Sequence, residues 1–271
     1  MKEKILITGT KGFIGKNLAE ELESKYKVLN FEEFHLHGDW KFTLKSLFKK
    51  GLCGVFHVGA CSDTLEQDTN YMMLLNYEVT KYLTDLCGKF NVKLIYSSSA
   101  ANYGINGKYP SNLYGWSKYA GEGYVTSNNG VALRYFNVYG PGEQNKGKMA
   151  SVAYQMYKRN QNKEEIKLFP LKPVRDFVYV KDIVAANIHA FNNYYKLLLW
   201  NKFYEVGSGE ARSFEDKMNI MDIPFTYHPE DIIPKGYQYY TCSNKKLWLK
   251  GWKPKYNLET GLKDYIKYLK K

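Results

Sequence analysis

Tyr114 and Lys118 stand four residues apart in the run Leu113-Tyr-Gly-Trp-Ser-Lys118, a spacing that puts both side chains on one face of a helix. A phenol titrates at about pH 10 in water and is a poor base at neutral pH. A lysine cation one turn away favours the phenolate and brings the group towards general acid/base work. Ser99, closing the run Lys93-Leu-Ile-Tyr-Ser-Ser-Ser99, supplies a hydroxyl that can hold a substrate oxygen against the phenol. The three together can move a proton on and off an alcohol. A tyrosine four before a lysine is common by chance, and its bland meaning is a packed ring beside a solvated cation. Position lifts this pair above that: an apolar run ending in three serines precedes it, and open α/β sheets bind ligands at such strand ends.

A glycine turn stands upstream. Lys4-Ile-Leu-Ile-Thr8 is a short apolar strand, followed by Gly9, Gly12 and Gly15 and then by a helical pattern through Leu18 and Leu22. Strand, glycine turn and helix form the setting of a dinucleotide site. The glycines allow a tight turn, close backbone approach to a pyrophosphate and close helix–sheet packing, and the helix N-terminus favours the anion. An acid is expected at the end of the second strand, Tyr26–Phe31, to bind the adenosine ribose. Here Asn30 precedes Phe31, Glu32 and Glu33. Asparagine accepts a ribose hydroxyl without repelling a 2′-phosphate, whereas the glutamates repel one, so NAD and NADP both remain open.

These groups need a scaffold. Further strands are expected at Gly54–Val58, Lys93–Ser97, Val131–Val138 and Phe203–Val206, with helices over Tyr71–Phe90, Leu113–Val125, Met149–Lys158, Ile183–Phe191 (capped by Asp182) and Leu258–Lys271. Strands alternating with helices predict an α/β fold, a doubly wound parallel sheet of Rossmann type, with a small interleaved C-terminal substrate lobe. Residues 1–140 are expected to form the dinucleotide domain, with 177–206 returning to it. Residues 141–176 and 207–271 are expected to form the substrate lobe.

Composition narrows the function classes. Apolar residues make up 44% of the 271 and charged residues 24%, as in a packed globule. No apolar run approaches a membrane span or a signal-peptide core, which predicts a soluble, cytoplasmic protein with no membrane partner. The four cysteines, Cys53, Cys61, Cys87 and Cys242, lack metal-ligand spacing and read as reduced small hydrophobes; no metal is expected. The net charge of +12 comes from scattered lysines rather than one basic cluster, which argues against nucleic acid as partner and suits a small anionic substrate. His57 and His189 read as packing residues.

Longer motifs carry a resemblance. Gly59-Ala-Cys-Ser-Asp-Thr64, Tyr71-Met-Met73 with Asn76, Ser98-Ser-Ala-Ala-Asn-Tyr-Gly104, Leu113–Lys118, Arg134-Tyr-Phe-Asn-Val-Tyr-Gly-Pro141, Lys146-Gly-Lys-Met-Ala-Ser-Val152 and Arg175-Asp-Phe-Val-Tyr-Val180 run in order over nearly the whole chain. They resemble the extended short-chain dehydrogenase/reductases of the nucleotide-sugar epimerase group, and the Lys146–Val152 run resembles its heptose 6-epimerases. The resemblance implies a nucleotide-sugar epimerase, an isomerase using transient oxidation by bound NADP or NAD, acting at C6 of an ADP- or other nucleoside-diphosphate heptose. It implies Tyr114 as catalytic acid/base, Lys118 as its support and ribose ligand, Ser99 beside the reacting carbon, and Lys146 as a second acid/base. Cofactor contacts are implied at Gly9, Gly12, Phe13, Ile14, Gly15, Asn30, Asn76, Tyr114, Lys118 and Val138. Substrate contacts are implied at Ser62, Asn137, Lys146, Phe169, Arg175 and Tyr237. Relatives also pair through the helices at Tyr71–Phe90 and Leu113–Val125, which implies a homo-oligomer.

The chain departs from the family pattern in several loops. It is short between the second strand and His57 and between Ser99 and Tyr114, and it carries Lys148 where the family has a small residue. Loops of this kind set substrate identity. Two alternatives stay in view. A dehydratase or reductase on the same fold is one; Ala100 and Ala101 after Ser99 argue against a dehydratase, which uses an acid pair there. A catalytically inactive dinucleotide sensor is the other, disfavoured by the intact Tyr114, Lys118 and Ser99.

Overall fold

The computed structural model describes residues 2–105, 107–201, 203–233 and 237–271. Strand β1 (Lys4–Thr8) leads through the glycine turn into α1 (Phe13–Leu22), followed by β2 (Lys27–Phe31), α2 (Trp40–Phe48) and β3 (Leu52–His57). Helix α3 (Thr69–Met73) passes through a π-helical turn, Leu74–Glu78, into α4 (Val79–Phe90), and β4 (Lys93–Ser99), α5 (Leu113–Ser127) and β5 (Val131–Tyr135) complete the first run. Beyond it come β6 (Asn137–Tyr139), α6 (Val152–Gln161), β7 (Lys167–Leu168), β8 (Val174–Tyr179), α7 (Val180–Asn192), α8 (Tyr194–Leu198) and β9 (Phe203–Val206). The chain closes with β10 (Ala211–Ser213), α9 (Phe214–Met221), β11 (Thr226–Tyr227) and α10 (Leu258–Leu269).

Six strands form one parallel sheet in the order β2-β1-β3-β4-β5-β9. Alternate residues of each strand point to opposite faces, and both faces are covered. Ile5, Ile7, Phe56, Ile95 and Leu133 join one buried cluster with Leu18 of α1 and Ile183 of α7. Leu6, Val55, Leu94 and Ala132 join another with Phe48 of α2, Leu83 of α4 and Val125 of α5. This double burial explains why the strands read as short continuous apolar runs.

A second sheet, in the order β10-β8-β6, stands beside the first. The single strand expected over Val131–Val138 is two strands in two sheets. The chain leaves β4 and β9 after Tyr135, Phe136 donates its amide to Val206 O at 3.2 Å, and Asn137–Tyr139 pairs with Phe177–Tyr179. Apolar continuity hid the break, because each half finds a different hydrogen-bonding partner. A third buried cluster, with Tyr139, Phe177, Met218, Leu262 and Tyr265, packs α6, α9 and α10 onto this sheet.

Two local expectations are revised. The helix expected from Met149 starts at Val152, capped by Ser151, after a 3₁₀ turn over Glu143–Met149 in which Gly147 has φ 53°. Asp182 does not cap α7, whose N-cap is Tyr179. Its carboxylate instead accepts the Lys255 and Tyr256 amides at 2.8 and 3.0 Å, anchoring the chain that leads into α10.

Candidate active site

The strand ends of the large sheet and one side of the second sheet open onto a cavity of ≈ 920 Å³. Its floor is the glycine turn. Gly9 has φ +73°, and a Cβ there would lie 2.6 Å from Gly59 Cα; a Cβ on Gly15 would lie 2.1 Å from Gly9 O. Backbones this close leave no room for side chains between turn and helix, so the first turn of α1 presents bare amides to the cavity, a cradle suited to a pyrophosphate. Gly9, Gly12, Phe13, Ile14, Gly15 and Val138 all line it.

The turn is held by a residue to which the sequence assigned only a charge effect. Glu32 is buried and accepts the Thr10 amide and hydroxyl at 2.7 and 2.5 Å. Asn30 points outward from β2 and does not line the cavity; Phe31, Glu32, Glu33 and Phe34 do. Asn30 is exposed at the end of this edge strand, and the carboxylates at the cavity are those of the two glutamates.

Tyr114, Lys118 and Ser99 meet in the cavity. Asn112 caps α5 through the Gly115 amide at 2.8 Å, which sets the register of the helix. The phenol opens to the cavity yet sits deep among protein atoms. Burial raises its pKa, and the Ser99 hydroxyl opposes that rise. Lys118 lies 4.2 Å from the centre of the Tyr96 ring, and burial lowers it to about 7, with Glu122 pulling it back up. The expected effect of lysine on phenol is therefore outweighed in this structure by desolvation of both charged forms.

Beneath α5 lies a buried polar network centred on Glu122. Glu122 receives both Arg134 Nε (2.8 Å) and Nη2, as well as the Ser98 hydroxyl at 2.6 Å and the Asn102 amide at 3.1 Å. Arg134 and Glu122 are 6% and 4% exposed, so this is a buried bidentate pair with its remaining lone pairs satisfied. It ties α5 to β4 and β5 directly below Lys118. His57 is similarly consumed. The Thr80 hydroxyl donates to Asn76 O (2.8 Å), so it accepts from His57 Nε2, which leaves Nδ1 to accept from Thr8. Burial drives the imidazole to about 3, a neutral structural group.

Asn76 lies in the π-helical turn and not on the cavity wall. Its amide spans Cys61 N, Cys61 O and Ser117 Oγ at 2.8–3.0 Å, which positions the loop bearing Ser62 and the helix bearing Lys118. Ser62 and Asn137 both line the cavity. Lys146 reaches it from the Glu143–Met149 turn, its ammonium 5.8 Å from the Phe13 ring centre. That turn is held on α1 by Asn17, which donates to Pro141 O at 2.8 Å. Burial lowers Lys146, partly offset by Glu143.

Phe169, Arg175 and Tyr237 do not line this cavity but gather beside it. The Phe169 and Tyr237 rings meet edge to face at 5.1 Å, and the Arg175 guanidinium lies 5.5 Å from Tyr237 and 5.8 Å from Phe214, a cavity residue. Arg175 is 8% exposed, and among the described residues no carboxylate pairs with it. Asp176 is occupied elsewhere: it accepts the amides of Ser208, Gly209 and Ser243 at 2.6–3.0 Å. Among the cavity residues that sequence reasoning did not single out, one cation stands out. Lys217, on α9, is 1% exposed and lines the cavity. Its signal was present: it interrupts an apolar stripe of Phe214, Met218 and Met221 that follows the capping box Ser213–Asp216.

Comparison with known proteins places this geometry. The family described as "NAD dependent epimerase/dehydratase family" matches residues 5–207. The ADP-L-glycero-D-manno-heptose-6-epimerase of Brachyspira hyodysenteriae is 34% identical, with 98% of each chain covered. The solved Helicobacter pylori enzyme of the same name superposes with a TM-score of 0.85 at 30% identity, covering 99% of this chain and 96% of that one. UDP-glucose 4-epimerase of Thermotoga maritima, solved with UDP-glucose, gives 0.82 at 26% identity over 98% of both chains. The chain thus belongs to the NAD dependent epimerase/dehydratase family, as an enzyme of its nucleotide-sugar epimerase group that uses NAD or NADP.

Proposed function

We propose that the protein inverts C6 of an ADP-linked glycero-manno-heptose in the cytoplasm, with Tyr114 and Lys146 as its two acid/base groups. The observation that carries the reading is that these side chains reach one cavity from different elements, Tyr114 from α5 and Lys146 from the turn packed on α1. Inversion needs a proton moved for each of two configurations, and one group cannot face both. The names of the relatives at 30% and 34% identity support the sugar and the nucleotide.

Bound along the glycine turn, a nicotinamide dinucleotide supplies the hydride acceptor and donor. Tyr114 Oη moves the proton of the reacting hydroxyl and Ser99 Oγ holds that oxygen. Lys118, buried one turn along, supports the phenol and, when protonated, favours the phenolate. Lys146 Nζ, whose pKa burial lowers from the ordinary lysine value, serves the second configuration as acid/base. Asn76 acts by positioning Ser62 and α5. Arg175, with Phe169 and Tyr237, receives the nucleotide end, where a guanidinium fork suits phosphate. Glu32 and Glu33 at the adenosine end favour NAD over NADP, because a 2′-phosphate would meet two carboxylates. The exposed aromatic face of Tyr109, Trp116 and Tyr119 supports pairing of two copies through α5.

The test is incubation of the dinucleotide-loaded protein with ADP-D-glycero-manno-heptose, with NMR of the product. The expected result is conversion at C6 with no net change in nicotinamide absorbance. Stoichiometric NADPH consumption would instead mark a reductase. Mass spectrometry of the released cofactor, expected to show NAD, tests the glutamate argument separately.

A further inference from the structure

Lys217 has no task in this chemistry, yet its surroundings are unusual. It is 1% exposed, and among the described residues its ammonium takes part in no ion pair and no side-chain hydrogen bond. It lies 3.6 Å from the centre of the Phe177 ring and 5.0 Å from that of Tyr139. A bare buried ammonium is costly, and an aromatic face offsets only part of that cost. Glu143 is the carboxylate that opposes this desolvation, and it acts on Lys146 as well. Glu143 is itself committed to the amides of Gly140 and Ser151 and to the Ser151 hydroxyl. Two cavity lysines thus share one carboxylate whose oxygens are already hydrogen-bonded, leaving the wall formed by Phe177 and Phe214 short of negative charge. In this state burial brings Lys217 down to about 7, as desolvation requires of a cation without a counter-ion.

We propose that Lys217 is an anion-anchoring specificity residue, whose ammonium receives a phosphate or carboxylate oxygen of the ligand against the Phe177 wall. The anchor sits on the half of the cavity formed by β8 and α9, where Phe177 pairs with Asn137, and not on the glycine-turn half. The inference rests on the nucleotide-sugar reading only for the class of ligand. The anionic oxygen belongs either to the diphosphate or to a carboxylate on the sugar, and ligand choice separates the two.

The experiment is calorimetric titration of NAD-loaded protein, wild type, Lys217→Met and Lys217→Arg, with adenosine, ADP, UDP-glucose and UDP-glucuronate. Methionine suits a site walled by Phe177, Phe214 and Met218; the arginine variant keeps the charge should methionine impair folding. If the diphosphate is the partner, Lys217→Met weakens ADP at least tenfold and both UDP-sugars alike. Lys217→Arg then stays within a few fold of wild type, and adenosine is unchanged. If a sugar carboxylate is the partner, only UDP-glucuronate weakens. Equal affinities for every anionic ligand in wild type and Lys217→Met overturn the proposal. So does a fall in adenosine affinity as large as that for ADP, or loss of bound NAD in place of ligand affinity. Failure of the epimerase reading looks different: no C6 conversion of the ADP-heptose, with the Lys217-dependent anion binding intact.

Discussion

The two halves of the cavity handle buried charge in opposite ways. On the large-sheet side most charged and polar groups answer one another: Glu122 holds Arg134, Glu32 holds the glycine turn, and His57 is closed between two threonines, Lys118 against the Tyr96 ring being the exception. On the second-sheet side, Lys146, Lys217 and Arg175 are cations without a carboxylate in contact among the described residues, lowered by burial and resting near aromatic rings. A satisfied network is rigid and holds reacting groups in place. An uncompensated set of cations stores attraction for a ligand that brings negative charge with it. The first half thus reads as a reaction floor and the second as a receptor for an anionic substrate.

Mutations test this contrast, beginning with the largest effect. Tyr114→Phe removes the proton-moving oxygen from the floor; turnover should fall by about 10²–10⁴-fold with the dinucleotide still bound, measured by NMR of the sugar product. A variant that turns over at the wild-type rate would remove Tyr114 from the chemistry. Arg134→Met strands the Glu122 carboxylate in the core, and denaturant melts should show a loss of about 3–5 kcal/mol. A loss under 1 kcal/mol would mean the network beneath α5 is not the rigid element described.

On the receptor side the pH dependence of stability is diagnostic. Folded Lys217 gives up its proton above about pH 7, while an unfolded lysine keeps it to about pH 10.4. Between these values the unfolded chain binds more protons, so stability gains from this residue as pH rises. Lys217→Met should reduce the slope by up to about 1.4 kcal/mol per pH unit between pH 7.5 and 9.5 in the ligand-free protein. Lys118 contributes equally to both proteins and cancels. Identical slopes would show that Lys217 is not held as a buried titrating cation. The smallest effect concerns the cap that orients Lys217: Ser213→Ala should cost about 1 kcal/mol in thermal or chemical melts, and a neutral result would show that packing alone sets the register of α9.

Legibility differed between the halves for a physical reason. Tyr114, Lys118, Ser99 and the glycines depend on spacing within one strand, turn or helix, and local geometry carries them into the cavity. The strands buried on both faces could be read as apolar runs for the same reason. Lys146 and Arg175 entered only through resemblance, since each reads alone as a surface or ion-paired cation. Lys217 was missed because a lysine in an apolar stripe looks like a solvated break in a helix face. The division of Val131–Val138 between two sheets was invisible because pairing partners far along the chain decide it.

The sequence by itself determined the α/β order, the dinucleotide turn and the Tyr114–Lys118 register, because these follow from helix and strand periodicity and from where glycine alone fits. Only the tertiary structure decided which charges are answered. It sent Asn30 to solvent and Glu32 to the turn, made Asn76 a brace, occupied Asp176 and Asp182 with backbone amides, and left Lys217 bare on the cavity wall. Whether a charge is paired depends on what distant segments bring within about 4 Å of it, and that distance is set by packing rather than by spacing along the chain.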